Sequence, residues 1–227
     1  MLHGRRILVD ALPKADPKAV RLSILGPAFS QLLAQRGHLV LHASAVLIRG
    51  QAVAFLGTSG AGKSTISASF YKRGYKLVTD NLLLICFKKD KVFVVPTFPQ
   101  FKLWPDTAKK LGWDPATLEW INAVTKKRSL LLKNRFVKKP VSLKAIYILH
   151  QGRSIKIEEA ASAQKLFTLI KESFGAHSVG QKDALPPHLL NCARLIRQVP
   201  IRILTRNSRL SSLSELMRAV EEDLSKL

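Results

Sequence analysis

Eight consecutive residues, Gly57-Thr58-Ser59-Gly60-Ala61-Gly62-Lys63-Ser64, constrain this chain more than any others. They fit the pattern G-x-x-x-x-G-K-[ST], in which small residues let backbone N–H groups turn inward around phosphates at a helix N-terminus. Such a loop works only between a strand and a helix, and the flanking sequence supplies both. Leu39–Ile48 and Ala52–Leu56 are rich in Val, Leu and Ala and are broken by Arg49-Gly50-Gln51, so they read as two strands joined by a tight turn. From Lys63 the segment KSTISASFYKR has helical length and stops before Gly74, a residue suited to the left-handed conformation after a helix. In this setting Gly57 to Thr65 are expected to bind nucleotide phosphates, Lys63 to reach the terminal ones, and Ser64 to offer a hydroxyl to Mg²⁺.

Downstream, YKLVT is a short strand, LLLICF and VFVV flank the turn KKDK as a hairpin, and LKAIYIL is a further strand. The last third is mainly helical. SAQKLFTLIKESF, PPHLLNCARLIRQ and LSSLSELMRAVEEDL carry apolar residues at three- and four-residue spacing, with the strand IRILT between the last two. The expected fold is α/β: a largely parallel sheet around the phosphate loop, with antiparallel additions and a helical C-terminal part.

Asp80 falls at the C-terminal end of the strand after the loop helix, the edge where ligands bind in parallel α/β sheets. Three roles are open to it: general base toward an acceptor hydroxyl, Mg²⁺ ligand directly or through water, or turn former bonded to its own backbone. Trp104 and Lys102 raise a similar choice between bordering an acceptor and packing, with Pro105-Asp106 starting a helix.

Charge narrows the partners. The 227 residues hold 37 Lys and Arg against 15 Asp and Glu, a formal net charge of +22. An anionic partner is therefore expected. The cations alternate with apolar residues and no helix-turn-helix, zinc finger or RNP motif occurs, which argues against specific nucleic-acid recognition. Instead Arg128, Lys133, Arg135, Arg153, Arg202 and Arg206 are expected around an acceptor groove for an acidic peptide. No apolar run reaches the roughly 18 residues of a membrane helix, and the charged, proline-broken start is no secretory signal, so a cytoplasmic protein is expected. Cys86 and Cys192 belong to no CxxC or Cys/His cluster and read as ordinary thiols.

The stretches LHASAV, GTSGAGKST and KRGYKLVTDN together resemble the C-terminal catalytic domain of HPr kinase/phosphorylase. PQFKLWPDTAKKLGW and SLKAIYIL are similar to shorter HPr-kinase-like proteins of peptide-modifying systems, including kinases of lasso-peptide precursors. The resemblance covers residues 38–150 well and the helical end in outline. It implies an ATP-dependent kinase acting on a serine hydroxyl of a peptide or small protein, with Mg²⁺. On this reading Asp80 is the base, Ser64 a metal ligand, Lys63 the β- and γ-phosphate contact, and His42 the family histidine that tunes the aspartate. It also implies a short lead-in at 1–37, a catalytic domain at 38–227, and a homo-oligomer, since the HPr enzymes are hexamers.

Two departures carry consequences. Asn81 stands where the family has a second aspartate, which keeps an oxygen ligand but removes a charge from the metal site. There is no glutamate between Asn81 and Glu119, which puts the phosphorolytic back-reaction in doubt. Regulation through the N-terminal domain of the two-domain enzymes is not expected. Two alternatives stay open beside the serine kinase: a nucleotide-binding regulatory module that hydrolyses its nucleotide, and a kinase of a small metabolite.

Overall fold

The computed structural model describes residues 4–123, 125–174, 185–207 and 209–227. The chain enters through α1 (Pro17–Ser23), a π-helical turn (Ile24–Ala28) and α2 (Phe29–Gln35). The Asp16 carboxylate caps α1 by accepting from the Lys18 N–H at 2.9 Å, while Pro17 occupies the first turn, where no N–H is required. Pro27 lies inside the π turn, whose wider spacing takes a residue that cannot donate.

Next come β1 (Leu39–Leu41), β2 (Ala43–Ile48), β3 (Gln51–Leu56), α3 (Lys63–Lys72) and β4 (Lys76–Thr79). A hairpin of β5 (Leu83–Lys88) and β6 (Lys91–Val95) follows, then β7 (Gln100–Leu103), α4 (Pro105–Lys110), β8 (Glu119–Trp120) and β9 (Arg128–Leu131). The C-terminal part holds β10 (Val141–Gln151), β11 (Lys156–Glu159), α5 (Ser162–Lys171), α6 (Leu185–Gln198), β12 (Ile201–Arg206) and α7 (Leu213–Leu224). One nine-stranded sheet runs β1-β5-β6-β10-β3-β2-β4, with β12 on β10 and β11 on β12; β7, β9 and β8 make a separate three-stranded sheet.

The α/β class with antiparallel additions and a helical end is what the sequence predicts, but the sheet is not largely parallel. Parallel ladders are confined to β3 with β10 and β10 with β12, beside one isolated parallel bridge from Leu77 to Phe136; the other ladders of the large sheet are antiparallel. The reason is local. The β3-α3-β4 crossover would make β3 and β4 parallel neighbours, yet β2 turns back through Arg49-Gly50 and slots between them, bonded antiparallel to both. Thus β3 and β4 still run the same way, and both end at the same edge of the sheet.

The predicted strand over Leu39–Ile48 is also broken. Its two halves serve different neighbours: β1 pairs with β5, whereas β2 pairs with β3 and β4. His42 sits in the break, and its N–H donates to the Glu172 carbonyl at 2.7 Å instead of to a strand. That contact also explains why α5 stops at Lys171 and not at Phe174: Ser173 bridges to Leu41, and the Phe174 N–H donates to the Val40 carbonyl.

Alternation along the two central strands sorts the core into layers. Ala52, Ala54 and Leu56 of β3, with Ile146 and Ile148 of β10, face Leu169 of α5 and Cys192, Leu195 and Val199 of α6 and its end. Val53, Phe55, Tyr147 and Leu149 face Ile66 and Phe70 of α3 and Leu216 and Val220 of α7. Phe55 is fully buried, its ring centroid 5.9 Å from that of Phe70 and 6.1 Å from that of Tyr147. Burying a side chain of this size stabilises the fold by about 2–3 kcal/mol. Helices therefore cover both faces, and the loops at the strand ends are left to bind.

Candidate active site

The loop after β3 is shaped by its glycines. Gly62 holds φ at 100° and precedes α3 without any capping side chain, so the first-turn amides of the helix point outward to a ligand. Behind it, Arg206 at the end of β12 donates from Nη1 to the Ala61 carbonyl at 3.0 Å, and a Cβ on Gly62 would run into that guanidinium. Arg206 thus braces the loop from the rear. Lys63 is buried, with Nζ donating to the Gly57 carbonyl at 2.6 Å and the Thr58 carbonyl at 3.0 Å. Burial pulls its pKa down, partly offset by the Glu172 and Asp80 carboxylates.

Asp80 arrives at this edge because β4 ends beside β3 with one strand between. It is 5% exposed. The Ser64 hydroxyl donates to its Oδ1 at 2.8 Å, and the Lys102 N–H at the end of β7 donates to Oδ2 at 3.0 Å. Burial raises its pKa, opposed by those two hydrogen bonds, by the Ser44 hydroxyl and by the Lys102 charge. Asn81 follows at φ 81°, a conformation that asparagine tolerates better than most residues. Its side chain faces His42 and favours the protonated imidazole.

His42 sits at the N-terminal end of β2, level with the start of the loop because Ala43 pairs with Leu56. Burial is the main cause that takes its pKa down to about 4, with the Lys63 charge adding to it, so the imidazole is neutral at physiological pH. Its Nδ1 lies 3.8 Å from the Glu172 carboxylate, which is 8% exposed. Glu172 is a site residue that the sequence did not flag. It comes from the far end of α5, and no spacing motif links it to the loop.

Much of the expected set is brought together. His42, Ser59, Gly60, Gly62, Lys63, Ser64, Thr65, Asp80 and Asn81 line one cavity of about 80 Å³, with Lys102, Trp104 and Lys127 opposite. Lys127 reaches over the Trp104 ring at 5.4 Å, so both belong to the wall and neither is simply packed away. Gly57, Thr58 and Ala61 lie outside that lining, their carbonyls turned back to hold Lys63 and Arg206. The six cations expected around an acceptor groove do not form one. Arg202 is paired with Asp223 at 2.7 Å and Glu159 at 3.3 Å, Arg135 stacks on Tyr71, Arg128 stacks on Trp120, Arg206 is behind the loop, and Lys133 and Arg153 are exposed elsewhere. Two further cavities open instead at Asn81 and Lys102, one of about 560 Å³ and one of about 500 Å³.

The donors suit a hard cation that arrives with phosphates. Among the described residues no group of three His, Cys, Asp or Glu side chains is placed to hold a metal alone. A hydroxyl and a carboxylate in contact, Ser64 and Asp80, match the few protein oxygens that Mg²⁺ takes when a nucleotide supplies the rest. Among the described residues no helix is long and apolar enough to cross a membrane.

Neither known protein families nor curated proteins give a match to this chain. Among solved structures it is similar to the Hpr(Ser) kinase/phosphatase from Coxiella burnetii, at 12% identity and a TM-score of 0.42, over 82% of this chain and 97% of that one.

Proposed function

We propose that the chain transfers the γ-phosphoryl group of ATP to a serine hydroxyl of a peptide or small protein, with Mg²⁺ as the accompanying ion. The observation that carries this reading is the buried Asp80 carboxylate, tied to the phosphate loop through Ser64 yet also lining the 560 Å³ cavity beyond the loop. The sequence resemblance described above supports the choice of serine and of ATP, and a cytoplasmic setting goes with it.

The first-turn amides of α3 would bind the phosphates, and Lys63 would place its charge among them. Ser64 and Asp80 would hold Mg²⁺, which when bound neutralises phosphate charge and orients the transferring group. Asp80 would accept the proton of the acceptor hydroxyl as that oxygen forms its bond to phosphorus and the bridging oxygen of the leaving diphosphate departs. A carboxylate whose pKa is raised by burial is a better proton acceptor than an ordinary one. The Lys102 amide fixes its orientation. Neutral His42 adds no further charge beside Lys63.

One observation favours a second reading, a nucleotide-hydrolysing regulatory module. Both Asp80 oxygens are already engaged, as a carboxylate that serves only the metal would be. Incubation with γ-labelled ATP, Mg²⁺ and serine peptides separates the two. The wild type is expected to label peptide at serine. Asp80→Asn is expected to lose at least about a hundredfold in turnover while nucleotide affinity changes little. Label released only as inorganic phosphate, whatever peptide is offered, would overturn the kinase reading.

A further inference from the structure

Three cavities converge on one pair of residues. The phosphate-loop cavity, the 560 Å³ cavity and the 500 Å³ cavity all include Asn81 and Lys102 in their walls. The two larger ones also share Leu22 of α1 and Ile121, so they are two arms that meet beneath the α1 end of the lead-in. The first arm runs out between α1 and the three-stranded sheet, past Leu25, Leu130, Leu131 and Trp120, with Lys18 and Arg21 in its wall. The second passes Gly26 and Phe174, with Lys171 and Glu172 in its wall and His42 and Lys127 where it meets the phosphate-loop cavity.

A small hydroxyl compound needs a single arm. A chain that carries its reacting hydroxyl in the middle needs two, one for each direction in which it leaves. We infer that this pair of arms is a through-groove for an extended polypeptide whose acceptor residue is internal and lies at Asn81–Lys102, with an apolar and an acidic side chain on the α1 side. The inference rests on the phosphoryl-transfer reading and names the form of its acceptor.

The side-chain chemistry supports the flank preference. Leu25, Trp120 and Leu131 are large apolar groups at 41%, 51% and 69% exposure, gathered in one wall of the first arm. Apolar groups clustered at the mouth of a site mark a place where another chain is covered. The carboxylates are spent internally: Glu119 bridges Lys18 at 3.3 Å, Asp80 is held by Ser64 and Lys102, and Glu172 lies beside His42. Arg21 and Lys171, one in each arm, are left as cations for an anionic chain.

The test uses the full chain and fluorescent peptides read by anisotropy, so that binding is measured without turnover. One peptide has serine in the middle, with Leu and Asp on one side and Asp on the other; two truncations end at the serine, one from each direction; a fourth replaces the Asp beside Leu by Lys. Arg21→Glu and Lys171→Glu remove the cation of one arm each and touch no residue of the reaction. The central-serine peptide is expected to bind each variant about tenfold more weakly, and each truncation to lose its response to one variant only. The Lys peptide should regain affinity for Arg21→Glu. Equal binding of all peptides by all three proteins, or tight binding of both truncations with unchanged affinity, would overturn the groove. If the peptides bind as expected but no label reaches serine, the kinase reading falls and the groove stands. If serine is labelled irrespective of flanks and variants, the reverse holds.

Discussion

At the scale of single residues, the environment of His42 makes a prediction about the ligand-free protein. Its folded pKa of about 4 lies below the ordinary value of 6.5. Between those two pH values the unfolded chain binds the proton and the folded chain resists it, so this histidine makes stability rise with pH over that window and adds no slope above it. Asp80 acts in the opposite sense, because a raised carboxylate pKa makes stability fall as pH rises through its window. Replacing His42 by Asn is expected to remove the histidine's share, on the order of 2–3 kcal/mol between pH 4 and 6.5. Urea denaturation of both proteins at several pH values measures it. Identical slopes for the two would mean that His42 is protonated as readily in the fold as out of it.

At the scale of elements, the polar tie across the second core layer can be broken in two ways. The Tyr147 hydroxyl on β10 donates to Asp223 Oδ2 at 2.8 Å, and Arg202 on β12 donates to Oδ1 at 2.7 Å, so one carboxylate of α7 joins two strands. Tyr147→Phe leaves Asp223 with its arginine and is expected to cost about 1–2 kcal/mol. Asp223→Ala strands a buried hydroxyl and leaves the Arg202 guanidinium with only the exposed Glu159, and about 3–4 kcal/mol is expected. Equal costs in denaturant titration would show that the guanidinium draws little from the pair. The same elements show what was legible beforehand. Loop, helix and hairpins are written in local patterns, the glycine spacing, the 3.6-residue repeat and the Arg49-Gly50 turn, and all of them form. The interposition of β2, the break at His42 and the arrival of Glu172 depend on which distant segments pair. A run of Val, Leu and Ala such as Leu39–Ile48 looks the same whether it has one set of partners or two. The basic residues misled for a related reason: charge alone does not say that Arg202 and Arg206 are consumed by a carboxylate and a carbonyl.

At the scale of the molecule, the site lies where separate parts of the fold abut: the strand ends of the large sheet, the three-stranded sheet through Lys102, and the helical end through Glu172. No single part contains it. The net charge of +22 surrounds it with positive potential, which favours anionic ligands of every kind and makes moderate salt a necessary condition for judging specificity. The seam at His42 has a use as a clock. Its amide is held by one carbonyl from the opposite part of the chain, so its proton can exchange with solvent only when those parts separate. On the proposed function, nucleotide with Mg²⁺ would engage the loop and Asp80 on one side of that contact, and it is expected to slow deuterium uptake at His42 severalfold, while the amide of Leu8, far out on the exposed N-terminal segment, keeps its rate. An unchanged rate at His42 under saturating nucleotide would mean that the two parts open and close without regard to what the loop holds.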